Sequence, residues 1–81
     1  MARPEDLTLL ALLAEREADG GALTRVDLFA APIPGVRDPA ESLARLALDG
    51  LVESRSSTAH GVPRLFVTDA GHWALEPHNP A

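Results

Sequence analysis

The chain has 81 residues, 46% of them hydrophobic, and carries a formal net charge of −5 with a sequence pI near 4.9. This length holds one small domain, residues 1–81, and excludes a two-domain enzyme. The lack of cysteine excludes disulfides, thiolate metal sites and a cysteine nucleophile and suits a reducing cytoplasm, while the acidic balance opposes indiscriminate attraction to nucleic acid or anionic membrane.

Pro4, Glu5 and Asp6 suit the first turn of a helix, where proline loses no hydrogen bond and acids meet the positive end of the dipole. The apolar stretch from Leu7 to Ala14 is far below the ~20 residues that span a bilayer, and its acidic flanks are unlike a signal peptide, so it reads as mature sequence. Leu7, Leu10, Ala11, Ala14 and Ala18 follow helical spacing as the inward stripe, and Gly20 with Gly21 stops the helix. Leu9, Leu12 and Leu13 fall on the other side with Glu5 and Arg16 as a second apolar stripe. Another element of the same chain covers that stripe, or a second copy does; Leu9 and Leu12 are its candidate partner contacts.

After an extended link at Ala22 and Leu23, Thr24 caps a short helix with Val26, Leu28, Phe29 and Ala30. Pro32 to Arg37 forms a stiff turn. Asp38, Pro39 and Glu41 then start a third helix, with Leu43, Leu46 and Ala47 inward and Gly50 at its close. Leu51 to Ser56 and Arg64 to Val67 read as two strands of a hairpin, joined by small and polar residues. Thr68 with Asp69 caps a last short helix, in which Trp73 is expected as a core plug between the first helix and the hairpin. Residues 77–81 suggest a frayed tail.

Leu43, Leu46, Asp49, Gly50, Leu51 and Val52 spell L-x-x-L-x-x-D-G-L-V, and Phe66 to Gly71 spells F-V-T-D-A-G. The first resembles the end of the recognition helix and start of the wing in MarR-like and PadR-like regulators. The second is similar to the segment leading from their second wing strand into the next helix. The resemblance spans residues 5–76 and implies an α+β winged helix-turn-helix: a three-helix core, a two- or three-stranded β-wing and a short C-terminal helix.

It further implies a non-enzymatic transcription-regulator module, with the third helix in the major groove of duplex DNA, the wing on backbone or minor groove, and a dimer over two half-sites. The candidate phosphate contacts are Arg37 at the turn, Arg45 on the third helix, and Arg55 with Arg64 at the base of the wing. Ser42 on the helix and Ser57 and His60 on the wing add neutral hydrogen bonds. The outward surface of that helix nevertheless holds Asp38, Glu41 and Asp49 around one arginine, and residues 37–64 as a whole are charge-balanced. The alternative is a winged helix used for protein contact, with Leu48 on its outward face unless it tucks under the wing. His60, His72 and His78 show no zinc-ligand spacing, and no nucleophile elbow or phosphate loop occurs, so neither metal, cofactor nor enzymatic activity is expected.

Overall fold

Thr24, Asp38 and Thr68 each stand in extended backbone immediately before a helix, and each side chain accepts a hydrogen bond from the N–H three residues on, at 3.1, 3.2 and 3.1 Å. These bonds satisfy donors that a helix cannot satisfy internally. They set the starts of α2 (Arg25–Phe29), α3 (Pro39–Leu48) and α4 (Asp69–Leu75), which follow α1 (Pro4–Ala18). Between α3 and α4 lie β1 (Val52–Arg55) and β2 (Arg64–Val67). The computed structural model, which describes residues 3–56 and 61–76, is thus α+β, with four helices and a two-stranded antiparallel sheet.

β1 and β2 pair in the register Val52↔Val67 to Arg55↔Arg64. β1 is shorter than the sequence suggested because the Leu51 N–H is already used, donating to the Leu46 carbonyl at 2.9 Å to close α3. Gly50 makes that closure possible: its φ of +75° lies in the left-handed region, and its own N–H donates to Ala47 at 3.1 Å. A Cβ on Gly50 would meet nothing within 4 Å, so Gly50→Ala should cost only the conformational penalty, about 1–2 kcal/mol by urea unfolding. On its other edge β2 meets the link before α2, with the Leu65 N–H donating to Leu23 O at 2.7 Å and a single bridge between Thr24 and Arg64.

The core gathers Leu9, Leu10 and Leu13 of α1, Leu28 of α2, Val36 of the turn before α3, Leu43 and Leu46 of α3, and Val52, Leu65 and Val67 of the sheet. At about 1.5–3 kcal/mol per buried aliphatic side chain, this cluster is the main favourable contribution to folding. α1 therefore carries one buried band, Asp6, Leu9, Leu10 and Leu13, and not two stripes. Ala11 and Ala18 are exposed, because α1 packs against α3 along one flank and against β2 and α4 along the other. This corrects the partner role expected for Leu9, which is fully buried within its own chain; Leu12 is half-buried. Ala47 of α3, expected inward, is exposed.

Trp73 is 64% exposed and does not plug the core. α4 instead turns Gly71 inward, and two residues further on a helix points nearly the opposite way. Gly71 sits against the Leu51 carbonyl, which accepts from the Thr68 N–H at 3.0 Å, while the Thr68 hydroxyl donates to Gly50 O at 2.7 Å. The corner after α3 and the corner after β2 are thereby fastened to each other. Among the described residues no helix is long and apolar enough to cross a membrane. The tail at 77–81 lies outside the described residues.

Candidate functional site

Asp6 at the start of α1 is fully buried, and a buried carboxylate requires a charged or hydrogen-bonding partner. Arg45 of α3 supplies it with a two-pronged contact, Nε to Oδ2 and Nη2 to Oδ1, both at 2.9 Å. The Arg3 N–H donates to Oδ2 at 3.1 Å. The same guanidinium lies 3.2 Å from Glu5 Oε1 and 3.1 Å from Glu41 Oε1, and donates to Ser42 Oγ at 3.3 Å. Hydrogen bonding from Arg45 holds the Asp6 carboxyl far below its ordinary range against the opposing effect of burial, helped by the Arg3 N–H and the Ser42 hydroxyl. Arg45 is held further above its ordinary value, chiefly by Asp6. Both groups are therefore locked in their charged forms, and the pair is a staple between α1 and α3 without a proton to give or take.

The staple draws inward two of the side chains expected to contact DNA from α3. Arg45 points back into the protein, ringed by three carboxylates, and Ser42 is fully buried beneath it. Sequence reasoning placed Asp6 only at the helix dipole. The signal that could have found its partner is its spacing, since it stands in register with Leu9, Leu10 and Leu13 on the buried band. What α3 shows to solvent is Asp38, Ala40, Glu41, Ala44, Ala47, Leu48 and Asp49, with Leu48 87% exposed rather than tucked under the hairpin. None of these exposed residues is a cation.

The other expected contacts lie elsewhere. Arg37 is exposed at the turn before α3, and its backbone N–H donates to Glu5 Oε2 at 3.2 Å. Arg55 and Arg64 are exposed and directly opposite each other across the strands, on the outward face of the sheet. Ser57 and His60 fall outside the described residues. Leu12, half-buried, lines an open groove of about 460 Å³ between α1, α2 and the proline turn, with Leu23, Leu28 and Ile33 below and Glu15 and Asp27 at its rim. Among the described residues no three His, Asp or Glu side chains converge as metal ligands.

Comparison with known proteins found no matching family model, no similar curated protein and no similar solved structure.

Proposed function

We propose that this chain is a winged-helix-like interaction module that docks another protein through the exposed side of α3 and does not read duplex DNA with it. Support for the winged-helix analogy comes from the element order and from β2 being hydrogen-bonded back to the link between α1 and α2. The observation that carries the functional reading is the loss of Arg45 to Asp6, which leaves an α3 surface of acids and alanines around a single exposed leucine. Phosphates would meet Asp38 and Glu41 there, a repulsive pairing. A protein segment with an apolar anchor flanked by Arg or Lys is complementary to it in both shape and sign.

The test uses a photo-crosslinking side chain at position 44. A protein captured this way, once purified, should bind the wild-type chain directly and more weakly as salt rises. Leu48→Glu should reduce that affinity about thirtyfold while leaving thermal unfolding unchanged. Unaltered binding by Leu48→Glu would overturn the docking site.

A second reading, duplex binding by backbone contacts alone, is favoured by the exposure of Arg37, Arg55 and Arg64. Three phosphate contacts predict a log–log salt slope of about −3, reduced by about one in Arg55→Ala. Anisotropy titration of a labelled duplex at 50 and 200 mM salt, concentrations that separate weak phosphate contacts well, decides it. The docking reading expects no salt-dependent duplex binding.

A further inference from the structure

The outward face of the sheet differs chemically from α3 and carries a site of its own, independent of the docking reading. Arg55 and Arg64 occupy directly opposed positions, an arrangement in which like charges repel. Among the described residues only Arg55 of the two has a carboxylate partner, Glu53, whose Oε1 lies 2.9 Å from its Nε. Its guanidinium lies over the Phe66 ring, 4.3 Å from the centroid. Arg64 donates through Nη1 to the Ala22 carbonyl at 2.6 Å. Arg55 is held by Glu53 and the Phe66 ring and Arg64 by the Ala22 carbonyl, and each keeps most of its five N–H groups uncommitted among the described residues. Arg55, Arg64, Phe66 and Ser56 line a small open cleft of about 210 Å³.

We propose that this cleft is a receptor for the phosphoryl group of a small phosphomonoester, seated between Arg55 and Arg64. Two arginines on opposed strand positions lining one cleft call for an anion with enough oxygens to serve both. A phosphomonoester brings three acceptor oxygens and nearly two negative charges at neutral pH. A carboxylate has two oxygens and one charge, which a single arginine fork already satisfies. A phosphodiester likewise offers two free oxygens and one charge. Binding offsets the repulsion between the opposed arginines.

The test is a titration of isotope-labelled protein with inorganic phosphate, glycerol 3-phosphate, acetate and a short duplex, at fixed pH and at ionic strength held constant with chloride. Both monoester probes should produce saturable shifts at Arg55, Arg64 and Phe66. Acetate should bind at least tenfold more weakly, as expected when a second guanidinium has no oxygen to hold. Arg55→Gln, which leaves the Ala22 contact untouched, should weaken phosphate about tenfold, and Arg64→Lys should do so by a smaller factor because the charge stays while the fork is lost. Arg37→Gln should change nothing. Shifts that fail to saturate, acetate equal to phosphate, or an unaltered Arg55→Gln titration would each overturn the site. A duplex that outcompetes glycerol 3-phosphate for the same residues would overturn the monoester and assign the cleft to a nucleic-acid backbone.

Discussion

Gly71→Ala should be the most damaging single-methyl change in this protein, lowering stability by about 3 kcal/mol or more. A Cβ at Gly71 would overlap the Leu51 carbonyl oxygen and stand 2.6 Å from Val67 Cγ1. The oxygen belongs to backbone that already accepts the Thr68 N–H, so it has no rotamer by which to retreat. Relief requires α4 to lift from the α3–β1 corner, breaking the Thr68 to Gly50 bond as it goes. For a domain of this size, that loss corresponds to a fall in Tm of about 12–24 °C by circular dichroism. The contrast with Gly50→Ala, where space is open and only the backbone conformation is penalised, separates close approach from left-handed geometry. A fall of only a few degrees in Gly71→Ala would mean that α4 is not seated on Leu51 as described.

Asp6→Ala is expected to cost about 3 kcal/mol, the lower end of what breaking a buried ion pair costs, since Arg45 would keep Glu5 and Glu41. The same residue makes stability depend on acid. Its folded-state pKa is depressed below the unfolded value near 4, so its contribution is complete above that value and is lost as pH falls below it. Urea unfolding between pH 7 and pH 3, a span chosen to cross the ordinary carboxylate range, should show wild-type stability dropping at the acid end. Asp6→Asn, which keeps the shape and removes the charge, should be weaker at neutral pH and flatter across the acid limb. Parallel profiles for the two proteins would mean that Asp6 is not the group that senses acid.

The elements were legible because their signals are local. Asp38 before Pro39, Thr24 and Thr68 before their helices, and Gly50 after Leu46 each act within a few residues, and each does so in the structure. The facing of α1 was not legible. Leu7, Leu9, Leu10, Leu12 and Leu13 allow more than one apolar band, and what selects among them is a carboxylate whose partner lies 39 residues away. Once that pairing is missed, Arg45 reads as an outward cation, Ser42 as a polar reader and Leu9 as an interface. Trp73 was misplaced for a related reason: a tryptophan looks like the natural core residue of a short helix, but the tight approach at Gly71 fixes which side faces in. The opposition of Arg55 to Arg64 and the stacking of Arg55 on Phe66 both depend on register, which expected strands of unequal length left open.

α1 precedes in the chain every element it packs against. Its neighbours are α3, β2 and α4, and Glu17 near its end accepts the N–H of Val67, 50 positions downstream, at 3.1 Å. During synthesis its leucines therefore emerge long before the segments that shield them, so the nascent chain exposes a greasy helix until β2 and α4 have been extruded. Ribosome-bound intermediates arrested before Val67 should consequently be sticky and protease-sensitive, and emergence of α4 should be followed by abrupt, all-at-once closure rather than stepwise assembly from α1 onward.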